Sequence, residues 1–372
     1  MRRHRPVRLD FFPSRTLTLY LARLFVVRIF AVLVMLVLVI QTLDLLGNSG
    51  AILAYPGNGD SELWQYVVLR VPMHASRFLS YSVLLATIVT LVTLNQNSEV
   101  ISMKAAGLSA HQILAPLMLT AAGISAFTFV FNETIVSHSV AALREWRAVE
   151  YGPVPEDAGV RNNVYFADGT DILTAQTMSG SGEATVMEGV TFYQRDENGR
   201  ITEQVRAAGA IYASPGWQLD DAVRFNSETV SSEELDQPIL VAMDLTPDQV
   251  AISGVDGEAQ DIFELAESID LLERNGLQTE KLRGMWWHKF SGPLSAILMP
   301  LLGAVAGFGL ARSGHLFLRA VIGISLGFAY FVVDNTALAM GNFGGYPPIL
   351  AAWAPFFLFA LVGETVLIRT EE

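Results

Sequence analysis

The 372-residue sequence contains no cysteine, which excludes disulfide bonds and thiolate-ligated metal centres. Its six histidines are not spaced as metal ligands would be, and no metal site is predicted. The phosphate-binding loop G-x-x-x-x-G-K-[ST] is absent. No nucleophile elbow is predicted either. These absences argue against an enzyme, and we expect the chain itself to bind no cofactor.

Charged residues are scarce as well. Only 16% of the residues are charged while 51% are hydrophobic, and the mean hydropathy is +0.38. This composition is too apolar for a soluble domain of this size. The formal net charge of −13 is compatible with it if the acidic residues are confined to one water-exposed domain and the apolar residues to membrane spans.

Hydrophobic runs long enough to cross a bilayer predict six transmembrane helices. The runs cover about residues 17–46, 64–94, 113–131, 290–310, 316–340 and 349–368. Basic residues precede the first run and occur at Arg312, His315, Arg319 and Arg369, whereas the loop at residues 47–62 carries Asp60 and Glu62 but no lysine or arginine. The positive-inside rule therefore places both termini in the cytoplasm and the large central segment outside it.

That central segment, about residues 132–283, changes to an alternating pattern with regularly spaced turn residues. It predicts an antiparallel sandwich or jelly roll, followed by a short amphipathic helix that returns to the membrane. The expected strands lie near residues 164–166, 190–193, 201–205 and 223–225. The predicted fold is an α-helical integral membrane protein with six transmembrane helices and an inserted periplasmic β-jellyroll domain. The predicted domains are residues 1–131, 132–284 and 285–372.

A short helix is predicted at about residues 97–108, between the second and third spans. Ser98 is a candidate cap, Glu99 suits the positive end of the helix dipole, and Gly107 can end the helix in the left-handed conformation. Ile101 and Ala105 share one face. The segment is either an ordinary connecting turn or a coupling helix that docks into a cytosolic partner. The candidate docking residues are Glu99, Ile101, Met103, Ala105 and Gly107.

Two small-residue patterns occur on the fourth and fifth spans, Gly303–Gly307 and Gly323–Gly327. Glycines four residues apart allow two helix backbones to approach closely. The patterns predict close packing, either within the chain or between subunits.

Three motifs resemble one known family. The run from Asn97 to Gly107, N-S-E-V-I-S-M-K-A-A-G, resembles the coupling segment of the lipopolysaccharide export permeases, the LptF/LptG family. The run P-P-I-L-A-A-W-A-P at residues 347–355 is similar to the LptG branch. The run L-L-E-R-N-G at residues 271–276, followed by W-H-K at residues 287–289, is similar to the family's return to the membrane. The resemblance covers essentially the whole chain.

The resemblance implies a permease subunit of an ABC transporter, in the inner membrane of a Gram-negative bacterium. Such a permease extracts lipopolysaccharide and passes it to a periplasmic bridge. The implied partners are an LptF-like permease, a cytosolic LptB-like ATPase dimer that holds ATP and Mg, an LptC-like single-span protein and an LptA-like bridge, with no nucleic acid. Strand residues expected to line a trough for acyl chains are Val164, Phe166, Phe192 and Tyr193.

The sequence departs from the family at residues 41–48, the outer end of the first span. No cation occurs there, although relatives often carry lysines suited to lipid A phosphates. On the second span, Arg70, His74 and Arg77 follow a helical spacing, and beyond the third span two arginines match basic family positions. These residues either bind the substrate or anchor the helices at the interface. The substrate-binding candidates are Arg70, His74, Arg77, Arg144 and Arg147.

Two other functions are open at this point. An ion-coupled secondary transporter would use ionisable groups in or near the spans, such as Asp44, Asp334 and Glu364. The scattered positions of these acids and the lack of a visible inverted repeat argue against it. A membrane-anchored periplasmic binding scaffold would instead use the jelly roll as its binding module.

Overall fold

The fold is described from a computed structural model. The structure describes residues 12–154, 161–168, 171–180, 184–196, 200–214, 216–227, 231–235, 237–243, 256–274, 278–307 and 316–371. The helices are α1 (Arg15–Ala54), α2 (Asp60–Gln96), α3 (Glu99–Ala105), α4 (Ala110–Phe131), α5 (Ser137–Ala148), α6 (Ile262–Arg274), α7 (Glu280–Gly307), α8 (Leu316–Asn342) and α9 (Pro348–Glu371). The strands are β1 (Arg161–Asp168), β2 (Asp171–Ser179), β3 (Val186–Arg195), β4 (Ile201–Ala213), β5 (Gly216–Asn226), β6 (Ser231–Leu235) and β7 (Ile239–Ala242).

Within the described residues, five helical segments are long and apolar enough to cross a membrane. They are α1, α2, the segment from α4 through α5, most of α8, and nearly all of α9. Each overlaps a span predicted from the sequence. The first two helices run past their predicted ends, because α1 continues to Ala54 and α2 begins at Asp60. The predicted outer loop at residues 47–62 therefore shrinks to residues 55–59.

The predicted fourth span begins inside α7, and its last residues, 308–310, fall outside the described part of the chain. The basic loop predicted at Arg312 and His315 falls outside it as well. The amphipathic helix predicted before this span is present as α6.

Helix α2 lies at the centre of the bundle and packs against α1, α5, α7 and α8. Glycines on two of these helices meet it closely. A Cβ atom added at Gly303 would lie 2.7 Å from Cγ2 of Thr87, and one added at Gly327 would lie 2.1 Å from Cδ2 of Leu84. The small-residue patterns were predicted to serve packing either within the chain or between subunits. For these two glycines, the structure shows packing within the chain.

Residues 323–327 also have the spacing G-x-S-x-G that occurs in nucleophile elbows. A nucleophile elbow needs a sharp turn between a strand and a helix, which exposes the serine. These residues lie in the interior of α8 instead. The pattern is therefore part of a helix, and no elbow forms there.

The third span continues through a π-helical turn, Asn132–Val136, into α5. In this turn the N–H of Ser137 donates a hydrogen bond to the carbonyl of Asn132, five residues earlier. Such turns are found mostly as single insertions inside α-helices, and they often occur at functional sites. The turn also means that the expected start of the periplasmic segment, at residue 132, lies inside a continuous helical segment.

The strands form one antiparallel sheet with the order β1-β2-β3-β4-β5-β6, and β7 pairs with β5. The four predicted strands lie within β1, β3, β4 and β5, so the predicted alternation is confirmed there. Strands β2, β6 and β7 were not predicted. Both β6 and β7 pair with β5, with β6 on its second half and β7 on its first. Neighbouring strands in the chain are thus mostly neighbours in the sheet.

A crease crosses this sheet. The strand pairing between β1 and β5 is interrupted at one level of the sheet. The unpaired residues there include Gln176, Gly189, Ala208 and Asp221. On both sides of this level each pair of strands keeps the same register. Gly189 and Asp221 have positive φ, +62° and +51°. Buried positions on either side of the crease are three residues apart instead of two, namely Ala175 and Met178, Met187 and Val190, Ala207 and Ala210, and Leu219 and Ala222. The same face therefore stays inside, and both halves of the sheet bury one core.

The prediction that four strand residues line a trough for acyl chains is wrong in one respect. Phe192 is 7% exposed and belongs to the buried core of the sheet, with Val164 packed against that core. Tyr193 is half-buried, and the side chain of Phe166 falls outside the described residues. Because neighbouring residues on a strand point to opposite faces, Phe192 and Tyr193 cannot line the same trough.

Candidate functional site

The short helix α3 is anchored to the bundle by its inner face, and its carboxyl end is closed by local backbone hydrogen bonds. Val100 and Met103 are 4% and 8% exposed and belong to the core of the helical bundle. At its end, the N–H of Gly107 donates to the carbonyl of Lys104 (2.9 Å), and the N–H of Leu108 donates to the carbonyl of Met103 (3.2 Å). With φ of +91° at Gly107, this is a Schellman motif. The predicted role of Gly107 as the helix stop is confirmed.

The amino end of α3 differs from the prediction. Ser98 has φ of +60° and its hydroxyl makes no capping hydrogen bond, because a capping side chain needs an extended backbone at that position. Its carbonyl instead accepts a hydrogen bond from the N–H of Ser102 (3.0 Å). The Glu99 carboxylate accepts hydrogen bonds from the hydroxyl of Tyr20 (3.1 Å) and the amide of Asn97 (3.4 Å). Glu99 thus ties α3 to α1.

The exposed face of α3 carries only part of the predicted docking set. Ile101 is 52% exposed, and Ala105 and Gly107 are also exposed. Glu99 is half-buried. Met103, another of the predicted docking residues, lies on the opposite, buried face. The surface available to a partner is therefore the Ile101 and Ala105 side of the helix.

Of the three basic residues predicted to share one face of α2 (Arg70, His74 and Arg77), the first two lie beside a carboxylate on α1. Asp44 accepts two hydrogen bonds from the Arg70 guanidinium (3.1 and 3.3 Å) and one from the hydroxyl of Tyr66 (2.7 Å). Nε2 of the buried His74 lies 3.6 Å from the same carboxylate. Arg70 and His74 were expected to present charge to a lipid. In the structure, both face an acid that lies in the very segment noted for its lack of cations.

The two arginines of α5 also have partners within the chain. Arg147 donates to the hydroxyls of Tyr66 (3.1 Å) and Tyr151 (3.2 Å). Arg144 forms an ion pair with Asp256, which precedes α6. These contacts fix α5 against α2 and against the segment that leads to α6.

Two adjoining cavities lie beside these side chains. A small cavity of about 100 Å³ contains Arg70, Arg144 and Arg147 together with the acid Glu258. A larger cavity of about 540 Å³ shares part of its wall with the small one and contains Arg77. Of the five substrate-binding candidates, the structure thus brings three together and places Arg77 in the adjoining cavity. His74 is not among the residues that line either of these two cavities.

The acids considered for a proton relay each pair with a base of their own. These pairs are Asp44 with Arg70, Asp334 with His288 (3.1 Å) and Glu364 with His111 (2.9 Å). They join different pairs of helices and serve as links between them. This arrangement does not favour an ion-coupled secondary transporter.

The ion pair between Lys289 and Glu133 was among the contacts that the sequence reasoning missed. Nζ of Lys289 lies 3.0 Å from Glu133, whose second oxygen accepts the backbone N–H of Ile262 (2.5 Å). Glu133 therefore joins the π-helical turn to α6 and α7. Charged residues at the ends of two apolar runs were the available signal, since charge at membrane depth is often functional.

The sequence is similar to known proteins along nearly its whole length. The profile of the family described as "Lipopolysaccharide export system permease LptF/LptG" matches residues 19–369. The chain is 27% identical over 311 residues to the "Lipopolysaccharide export system permease protein LptG" of Escherichia coli (strain K12), covering 82% of this chain and 84% of that protein. It is 24% identical over 326 residues to the protein of the same name from Haemophilus influenzae, covering 85% and 89%. These matches confirm the resemblance seen in the motifs: the chain belongs to the LptF/LptG family of lipopolysaccharide export system permeases.

Proposed function

We propose that the chain is the permease subunit of an ATP-driven exporter that extracts lipopolysaccharide from the inner membrane. The observation that carries this proposal is the family match over residues 19–369, which includes both groups of membrane helices and the sheet between them. ATP is bound and hydrolysed by a separate LptB-like ATPase dimer. The further partners are an LptF-like permease, an LptC-like single-span protein and a periplasmic LptA-like bridge.

The proposed topology has six spans, with α7 as the fourth and both termini in the cytoplasm. Helix α7 has the length for this role, 28 residues, and its paired Trp286 and Trp287 suit a membrane interface. The creased sheet then lies in the periplasm and corresponds to a jellyroll-like domain. The one core that is shared by both halves of the sheet supports this assignment. The proposed domains remain residues 1–131, 132–284 and 285–372.

In this topology α3 faces the cytoplasm, where it would dock into a groove of the ATPase. Ile101 supplies an exposed apolar side chain, while the opposite face of α3 is buried in the bundle. A movement of the ATPase would therefore be transmitted directly to the helices that hold α3. The contact between Tyr20 and Glu99 would carry part of it to α1.

The docking proposal is tested by placing a charge on that exposed face. Ile101→Asp should leave folding intact, because Ile101 is half-exposed, but it should reduce capture of the ATPase in pull-down by at least about tenfold, since a buried unpaired carboxylate is costly at an interface. Phe343→Asp is the matched control, because Phe343 is 91% exposed and lies in the outer loop between α8 and α9. Normal capture of the ATPase by Ile101→Asp would contradict the docking proposal.

The small cavity with three arginines is the proposed contact for lipid A phosphates. Guanidinium groups can grip a phosphate with two parallel hydrogen bonds. Arg70 and Arg144 already have Asp44 and Asp256 as counter-ions, so the argument rests more on Arg147, whose guanidinium contacts tyrosine hydroxyls. We expect Arg147→Ala to weaken lipopolysaccharide loading while basal ATPase activity survives. Arg147→Lys should restore loading only in part, because lysine lacks the bidentate geometry.

A further inference from the structure

The larger cavity lies at a depth where lipid headgroups begin. It contains Arg77 of α2, which precedes Leu94, near the end of that helix, by 17 residues. At about 1.5 Å per residue this separation is about 26 Å, close to the roughly 30 Å thickness of the hydrocarbon core. On α7, the cavity-lining His288 directly follows the interfacial Trp286 and Trp287. Both helices thus place the cavity near one boundary of the apolar layer.

The cavity wall contains several charged groups, and most of them are paired. Lys289 pairs with Glu133, and His288 with Asp334. Glu133 and the neighbouring Asn132 belong to the π-helical turn, a type of irregularity that often marks functional sites. The turn places these two polar side chains in the cavity wall.

One charged group of the cavity remains without such a partner. Arg77 is exposed, and across the described ranges of the chain no hydrogen bond or ion pair joins its guanidinium to another residue. Glu258, on the segment before α6, is also exposed, and it lies between this cavity and the small one, where Arg144 is its neighbour. An unpaired charge near the apolar layer is costly and points to a ligand of opposite charge. The cavity thus offers one cation and one carboxylate.

We propose that this cavity binds the headgroup of a bilayer phospholipid, with Arg77 holding the phosphodiester and Glu258 the ammonium of an ethanolamine. A volume of about 540 Å³ is within the range of small-ligand sites. The single unpaired cation matches the one negative charge of a phosphodiester. The acidic groups of the wall suit a zwitterionic headgroup better than the several anionic groups of lipid A.

This inference does not depend on the export of lipopolysaccharide, because the occupant is a resident lipid and not the cargo. The other explanation of Arg77 is that its side chain only reaches towards the interface. The two explanations differ in a measurable way. A resident lipid binds in a fixed ratio to the chain, whereas an interfacial arginine holds no particular lipid.

The experiment measures lipid binding to the purified complex of this chain with its partner subunits. After delipidation and without lipopolysaccharide, the complex is titrated with short-chain phosphatidylethanolamine, and bound lipid is counted by native mass spectrometry. We expect one saturable lipid per chain. Arg77→Gln should weaken that binding about tenfold or more, because a charge-assisted bidentate contact is lost, and Arg77→Lys should be intermediate.

Arg23→Gln is the matched control, because Arg23 is an exposed arginine on α1 that does not line the cavity. A second test uses headgroup preference. Glu258→Gln should abolish the preference for phosphatidylethanolamine over phosphatidylglycerol without preventing binding. This measurement of headgroup preference tests the proposal even if the Arg77 variants do not fold.

Three results would overturn the proposal. The first is equal lipid binding by Arg77→Gln and Arg23→Gln. The second is an unchanged headgroup preference in Glu258→Gln. The third is competitive displacement of the bound phospholipid by lipopolysaccharide, which would assign the cavity to the cargo path.

Discussion

Replacing Asp44 with asparagine should destabilise the bundle, because it removes the counter-ion of Arg70. The carboxylate accepts two hydrogen bonds from that guanidinium and a third from Tyr66. Removing one partner of a buried ion pair typically costs about 3–5 kcal/mol. The Arg70 and Asp44 side chains are 17% and 18% exposed, so solvent offsets part of this cost. We expect Asp44→Asn to lower the free energy of unfolding by about 2–3 kcal/mol.

A double-mutant cycle separates the ion pair from other effects of the substitution. Arg70→Met alone leaves Asp44 unpaired and should also destabilise, whereas the double variant leaves no uncompensated charge. The double variant should therefore be less destabilised than the sum of the single variants, with a coupling energy of about 1–3 kcal/mol. Asp60→Asn is the control, because Asp60 is an exposed acid at the start of α2 and should cost at most about 1 kcal/mol.

Unfolding is followed in detergent by denaturant titration of the purified chain, with helical circular dichroism as the signal. The reasoning would be refuted if Asp44→Asn were as stable as Asp60→Asn, or if the two single effects simply added.

Two further predictions concern packing and pH. Gly327→Ala should destabilise by about 1–3 kcal/mol, measured by the same titration, because its Cβ would lie 2.1 Å from Cδ2 of the buried Leu84. Gly123→Ala, with nothing within 4 Å of the added atom, should be neutral or slightly stabilising. Hydrogen bonds from Arg283, then Thr279, lower the pKa of Glu273. Its stabilising contribution should therefore be complete above the ordinary glutamate pKa of about 4.3 and be lost at lower pH. In amide hydrogen exchange, α6 of Glu273→Gln should lose less protection on acidification than α6 of the unaltered chain, and equal losses would refute this.

The positions of the helices could be predicted because a long apolar run has few alternatives to a membrane span. The end of α3 could be predicted because Gly107 suits the left-handed conformation of a helix stop. Contacts between helices could not. The spacing of Arg70, His74 and Arg77 describes one face of α2, but it contains no information about the Asp44 carboxylate on α1.

The missed strand β2 has a physical explanation. Its buried residues Leu173 and Ala175 alternate as expected, but the next buried residue is Met178, because the sheet creases at Gln176. This change of period hides a strand from a search for strict alternation. The cap at Ser98 failed for a similar reason, since capping depends on a backbone conformation that residue type alone does not specify.

The most direct test of the proposed function is a reconstituted transport assay. The chain is placed in liposomes with an LptF-like permease, the LptC-like protein and the ATPase, and lipopolysaccharide transfer to a soluble periplasmic acceptor is measured. The account predicts transfer that requires ATP and this chain, is lost with Ile101→Asp, and is unaffected by an ionophore that dissipates ion gradients. Transfer that proceeds without ATP, or that stops when the ion gradient is dissipated, would contradict it.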